Sequence, residues 1–187
     1  MMPIEIMKAE HAIILLVLSA IDKMCEYALG GGKINSAHLE MARAFVKEYI
    51  LKTHHKKEEK ILFPAFAKFS NPSKNGPVTN LLKEHHTSGL DLFGRVEYSI
   101  SKYLQNGSKP NGLVDDLMTF TSFMKNHIEE EEHTLFPIIR AHLPLYLQSQ
   151  LVEQLNEFDN EKIGQERLEE LFAFARELSE SYPEKKI

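Results

Sequence analysis

The sequence predicts an all-α protein: an up-down-up-down four-helix bundle followed by two additional C-terminal helices. Three observations carry this reading. Turn-forming residues gather in few places: Gly30-Gly31-Gly32, Asn71-Pro72-Ser73-Lys74-Asn75-Gly76-Pro77, Asn106-Gly107-Ser108-Lys109-Pro110-Asn111-Gly112, then Pro144 and Gly164. No stretch alternates apolar and polar residues over a useful length, which argues against a sheet. The apolar residues instead recur at spacings of three and four, the mark of one buried helix face. Long helices joined by short links favour antiparallel neighbours.

The elements follow in order. A first helix over 3–29 carries the stripe Ile4, Lys8, His11, Leu15, Leu18, Asp22. A second over 36–69, with Asn35 and Ser36 as candidate caps, carries Ala44, Lys47, Leu51, His54, Glu58, Ile61, Ala65, with Lys47 as its flaw. A third over 78–105 carries Val78, Leu82, His85, Gly89, Leu92, Val96. The fourth, over 113–142, is the clearest: Leu113, Leu117, Phe120, Met124, His127, Glu131 and Ile138. Two shorter helices follow, near 145–160 and 165–181. Residues 1–143 are expected to form the bundle and 144–187 a helical extension. Leu151, Leu155, Phe158, Leu168, Leu171, Phe172 and Phe174 give that extension an apolar face. Capping of the bundle is the expected use of that face, and a homodimer contact is the alternative.

Composition narrows the function. The chain has 187 residues, 43% hydrophobic and 26% charged, which is ordinary for a folded domain and excludes low-complexity classes. A formal charge of −5 gives no reason to expect nucleic acid or an anionic membrane as partner. A single cysteine, Cys25, excludes a disulfide framework and any all-cysteine metal site within one chain. The longest apolar run, Ala12 to Ile21 and broken by Ser19, stops at Asp22, short of the roughly 18–20 residues a span needs. Glu5, Glu10 and His11 precede that run, which does not suit a signal peptide. A cytoplasmic location is therefore expected. The unusual component is histidine: nine, four of them in the pairs His54-His55 and His85-His86.

Those histidines belong to a repeat. At an offset of 73 residues His54 meets His127, Glu58 meets Glu131, Glu59 meets Glu132, and Leu62-Phe63-Pro64 meets Leu135-Phe136-Pro137. At an offset of 74, Glu10-His11 meets Glu84-His85. Helices one and two thus match helices three and four, as in a pseudo-two-fold bundle. Pro64 and Pro137, each lacking an N–H, are expected to kink or end their helices at a local cost of roughly 3 kcal/mol.

A histidine and a glutamate four residues apart on a helix point into the same space. Two such pairs, His54/Glu58 and His127/Glu131, plus His11 and His85 from the other helices, make four imidazoles and two carboxylates. Buried carboxylates without counter-charge are very costly, and divalent cations remove that cost. Two cations sharing Glu58 and Glu131 as bridges would each take two histidines. A solvent bridge would add a fifth bond and leave one position open on each. Nitrogen and carboxylate donors with open positions suit two iron ions, manganese less well, and zinc as a substitute.

The repeat sets the register. His54 is favoured over His55, whose counterpart is Ile128, and His85 over His86, because it lies on the stripe and copies Glu10-His11. The run Glu129 to Glu132 is expected to be mostly a solvated face, and His38, His133 and His142 have no counterparts. A ferritin-like arrangement would need a second Glu-x-x-His motif. Glu130 and His133 make one, but Lys57 and Lys60 stand at the matching positions.

The pattern His11 … His54-x-x-x-Glu58 … His85 … His127-x-x-x-Glu131, with its repeated Leu-Phe-Pro, resembles the hemerythrin-like (HHE cation-binding) family over residues 5–143. The stretch from Leu143 to Tyr182 is similar to the extension of some bacterial and archaeal members. The resemblance implies a four-helix bundle around a non-haem di-iron centre. Oxygen-carrying members have two histidines four apart on the third helix, where this chain has His85 and Gly89, and an aspartate five residues after the last histidine. The four-histidine, two-glutamate set is similar to the di-iron domain of iron–sulfur cluster repair proteins, whose cysteine-bearing N-terminal domain has no counterpart in these residues. Gly89 serves either close helix packing or room for a ligand beside a metal. The resemblance implies binding or sensing of dioxygen, nitric oxide or peroxide at open iron positions. The alternatives are a di-iron enzyme turning over peroxide or nitric oxide, and iron handling or cluster repair. A redox partner of unidentified nature is expected in either case.

Overall fold

The structure, a computed structural model, describes residues 2–69, 72–106 and 111–182. Parts of the expected linkers (70–71 and 107–110), the side chains of Val78 and Leu82, and residues 183–187 lie outside the described residues. Six helical rods follow in order: α1 (Pro3–Leu29), α2 (Ser36–Phe69), α3 (Pro72–Asn106), α4 (Asn111–His142), α5 (Leu145–Lys162) and α6 (Gln165–Ser181). There is no strand among the described residues. The third helix starts at Pro72 rather than 78. A proline at the first helical position loses no hydrogen bond, so the expected linker is partly helix. Asn35 caps α2, its Oδ1 accepting from the N–H groups of Ala37 (2.9 Å) and His38 (3.4 Å).

Two apolar cores lie on either side of a polar layer, and their order along each helix gives the topology. One core holds Ile4, Met7, Leu62, Phe63, Phe66, Leu135, Phe136 and Ile139. The other holds Ile14, Leu18, Phe45, Tyr49, Phe93, Val96, Leu117, Phe120 and Met124. Along α1 the chain passes from the first core through His11 to the second, and α3 enters the second core after His86. Along α2 and α4 it passes the opposite way, through His54/Glu58 and His127/Glu131. The four rods therefore run up-down-up-down, as the short links require.

The extension lies on the bundle. Leu171, Ala175 and Leu178 of α6 join the larger core, and Leu151 and Leu155 of α5 join the smaller one. Fully burying each leucine contributes about 1.5–3 kcal/mol. Arg167 of α6 adds a forked contact to Glu48 of α2, with Nη2 to Oε1 at 2.7 Å and Nε to Oε2 at 2.9 Å. That hydrogen bonding holds the Glu48 carboxyl below its usual range.

Neither proline ends its helix. Each follows a π-helical turn, Glu58–Leu62 in α2 and Glu131–Leu135 in α4. The Phe63 N–H donates to Glu58 C=O, and the Phe136 N–H to Glu131 C=O, five residues back in both cases. A proline next in line cannot continue an i to i−4 series, and the wider winding relieves its ring against the preceding turn. A longer π-helical stretch, Phe45–His54, precedes the first of these. It explains Lys47: wide winding brings Phe45, Tyr49, Ile50, Thr53 and His54 inward and leaves Lys47 outside, paired with Glu97 at 2.8 Å.

Candidate metal centre

The polar layer is made by residues that share a helix face with buried apolar residues in the turns before and after them, so hydrophobic burial of the four helices drags them inside. His11, His54, Glu58, His86, His127 and Glu131 are all buried. The structure brings together five of the six residues expected from sequence. It places His86, and not His85, with them. His85 is partly exposed at the flank, its Nδ1 3.4 Å from the exposed Glu130. The reason lies in the face of α3. Among the described side chains of α3 the buried ones are His86, Gly89, Phe93, Val96 and Ile100, a stripe that shares Gly89 and Val96 with the expected one. Histidine at both 85 and 86, and apolar residues at both 92 and 93, left two stripes one residue apart. The larger Phe93 takes the core, and His86 turns in with it. A Cβ at Gly89 would meet Met124 Sδ at 3.4 Å and Phe123 Cε1 at 3.5 Å, ordinary contacts, so packing does not demand glycine there. Four residues after His86 stands Leu90, which is 57% exposed.

Each of the two glutamates divides its oxygens between two pairs of imidazoles. Glu58 presents Oε1 to His54 Nε2 (3.7 Å) and Oε2 to His86 Nε2 (3.3 Å). Glu131 presents Oε2 to His11 Nε2 (3.3 Å) and Oε1 to His127 Nε2 (3.5 Å) and His86 Nε2 (3.9 Å). These atoms form two overlapping sets of donors, His11/His54/Glu58/Glu131 and His86/His127/Glu58/Glu131, with the donor atoms of each set within 4.8 Å of one another. Two donors each about 2.1 Å from one cation and at right angles to it lie ~3 Å apart, so the spacing suits a cation in each set.

The second layer selects the tautomers. His11 Nδ1 lies 3.0 Å from Glu132 Oε1, and His86 Nδ1 lies 3.0 Å from Glu59 Oε1. His54 Nδ1 lies 2.8 Å from Glu10 Oε2. A carboxylate accepts, so in each case Nδ1–H donates and Nε2 is the nitrogen turned inward, free to bind a metal once it has lost any proton, the arrangement that orients histidine toward metals. His11 Nε2 and His54 Nε2 face each other at 3.1 Å, a contact that is favourable only with a proton or a metal cation between the two nitrogens. All four oxygens of Glu58 and Glu131, with His86 Nε2 and both His127 nitrogens, are buried without a hydrogen-bond partner among the described residues. Orphaned buried polar atoms of this number, four of them carboxylate oxygens, are too costly to keep unless they hold something positive. The residues present fit a pair of divalent cations.

The charge of the layer points the same way. Burial alone would lower the His86 pKa, but the carboxylates of Glu131, Glu58 and Glu59 push it up to about 11. His11 is raised too, burial being outweighed by Glu131, Glu58 and Glu132. Glu131 resists the upward push of burial, and its imidazole neighbours His127, His11 and His86 hold it well below the usual carboxylate range. His55 goes the other way: burial, then His86, His127 and His54, hold its pKa well below the ordinary value. Its ring stacks on His86 at 3.9 Å with the planes 4° apart.

Glu59 and Glu132 were assigned to no site from sequence, and Glu132 was expected on a solvated face. The repeat is the signal that finds them, since the two meet at the same offset of 73 as the bridging pair. Glu10 directly precedes His11, but nothing in its spacing announces a contact with His54.

Comparisons with known proteins bear on the family. The model of the hemerythrin HHE cation-binding domain family matches residues 2–139. The chain is 33% identical over 98 residues to the iron–sulfur cluster repair protein YtfE of Cronobacter sakazakii (strain ATCC BAA-894), a match over 46% of this chain and 40% of that protein. It therefore spans well under half the length of that relative. No solved structure matches. With the family model matching most of the chain, including both His-x-x-x-Glu motifs, the chain belongs to the hemerythrin HHE cation-binding domain family.

Proposed function

We propose that the centre holds two iron ions and that the protein binds or senses a small ligand, dioxygen, nitric oxide or peroxide, at positions the protein leaves open. The observation that carries this is the division of Glu58 and Glu131, each with one oxygen turned to each pair of histidines and none satisfied by a hydrogen bond. His11 and His54 serve one metal, His86 and His127 the other. That leaves each metal two imidazoles and two carboxylate oxygens, fewer donors than iron accepts, so exogenous ligands have somewhere to bind. Iron in such a site supplies reversible ligand binding and one-electron chemistry. The chain's own part is to hold the imidazoles by Nδ1, to keep the carboxylates dry, and to close the layer above and below with apolar cores.

The likeness to a cluster repair protein favours a second reading, in which the same centre serves iron–sulfur repair. One experiment separates these. The protein is purified without oxygen and its iron counted. Oxygen, nitric oxide or peroxide is then added while the optical spectrum is followed. A stable reversible adduct supports binding, turnover supports an enzyme, and transfer of iron to an acceptor supports repair or handling. Fewer than two metals per chain after iron loading overturns the dinuclear centre.

A further inference from the structure

The two halves of the centre are braced unequally, and the difference comes from the C-terminal extension. His54 Nδ1–H donates to Glu10 Oε2 at 2.8 Å, and Glu10 Oε1 accepts from Lys57 Nζ at 2.6 Å. Lys57 is wholly buried. Its ammonium also reaches Asp159 of α5, 2.5 Å from Oδ1 and 2.6 Å from Oδ2. A charged chain thus runs from a residue of the extension to a histidine of the centre: Asp159, Lys57, Glu10, His54. The repeat has no equivalent. Glu130 stands where Lys57 stands in the other copy, exposed and beside His85, and His127 Nδ1 is buried without a partner among the described residues.

The sequence builds Asp159 into place. Gly164 takes a left-handed φ of +79°, which ends α5 and allows the N–H groups of Ile163 and Gly164 both to donate to Asp159 C=O at 3.0 Å. Asp159 therefore stands in the last turn of α5, and Leu151 and Leu155 on the same helix fasten it to the smaller core. Position 159 also lies beyond the residues matched by the family model, which end at 139.

We propose that Asp159 is a positioning residue of the metal centre: through Lys57 and Glu10 it fixes His54, so that the His11/His54 metal is held more tightly than the His86/His127 metal. The physical argument is one of shared charge. Glu10 must serve His54 and a buried ammonium together. Asp159 takes part of that ammonium's charge, which leaves Glu10 the stronger acceptor for His54 Nδ1–H and His54 the stronger donor to metal. Without Asp159 a single carboxylate answers a buried lysine, and Glu10 is drawn from the histidine.

The proposal rests on the reading of a dinuclear centre, and the test keeps the two apart. Ferrous iron alone is titrated anaerobically into the metal-free wild type, Asp159→Asn, Asp159→Glu and Leu155→Ala, and the midpoint potential of each loaded protein is measured. Wild type is expected to fill in two steps. Asp159→Asn should weaken the tighter step by about tenfold, the lower end of what orienting partners are worth, and leave the other unchanged. Its potential should move positive, since a negative charge near the centre is lost. Asp159→Glu should restore both readouts. Leu155→Ala, which loosens α5 without touching the charges, should lower thermal stability and move neither. Identical titrations and potentials for wild type and Asp159→Asn overturn the proposal, as does an equal shift in Leu155→Ala. A wild type that takes up fewer than two irons overturns the dinuclear reading, and this proposal falls with it.

Discussion

Replacing His86 and His85 by alanine, one at a time, separates the register seen in the structure from the one the stripe favours. His86 is 4% exposed, with Nε2 3.3 Å from Glu58 Oε2 and Nδ1 3.0 Å from Glu59 Oε1. His86→Ala removes one of the four donors of its set and leaves His127, Glu58 and Glu131, so the count is expected to fall from two metals to one. In the metal-free protein it also removes the cation that Glu58, Glu59 and Glu131 face. Breaking a buried ionic group by deleting one partner costs about 3–5 kcal/mol. His85 is 24% exposed and pairs at 3.4 Å with Glu130, which is 51% exposed. A partly exposed pair on the flank is worth about 1 kcal/mol or less, and His85→Ala is expected to keep both metals. The assay is metal content per chain after iron loading, with urea unfolding of the metal-free proteins. Loss of one metal in His85→Ala, with two retained in His86→Ala, would refute the reasoning.

Other outcomes follow from the same geometry. Glu58→Ala removes a carboxylate common to both sets and should abolish dinuclear binding, whereas His55→Ala should retain two metals; metal analysis reads both. Metal uptake should release protons, because His86, pushed up to about 11, is protonated at neutral pH until a metal displaces the proton, and the raised pKa of His11 acts in the same direction. The sign is that affinity rises with pH, by about tenfold per unit for each proton displaced, between neutrality and about 11, and calorimetry in buffers of different ionisation enthalpy counts the protons. Leu171→Ala, at a fully buried residue of α6, should cost about 2–5 kcal/mol in denaturant unfolding while leaving metal content intact.

Much of the fold was legible because the pattern had one solution. Glycine, proline and asparagine clusters bounded the rods, and burial of three-and-four stripes left antiparallel packing as the outcome. His11, His54 and His127 lay between buried apolar residues on single stripes, and each of the glutamates stood one turn beyond its histidine. Legibility failed where two neighbours offered the same chemistry. His85 and His86 differ by one helical step, and only the competition between Leu92 and Phe93 for the core selects between them. It failed also where winding changed. A stripe drawn with 3.6 residues per turn does not follow α2 through its π-helical stretches, so Lys47 read as a flaw and the buried Lys57 went unnoticed.

The sequence by itself determined an all-helical chain, an internal repeat, and two His-x-x-x-Glu motifs whose local spacing needs no fold to point both groups one way. Such features depend on residues within a turn or two of each other. Tertiary structure alone decided which member of a histidine pair turns inward, that Glu59 and Glu132 hold histidines of other helices, and that Asp159 reaches His54 through Lys57 and Glu10. Those contacts join residues from 27 to 121 positions apart, and side chains so distant meet only after the apolar faces have chosen their partners.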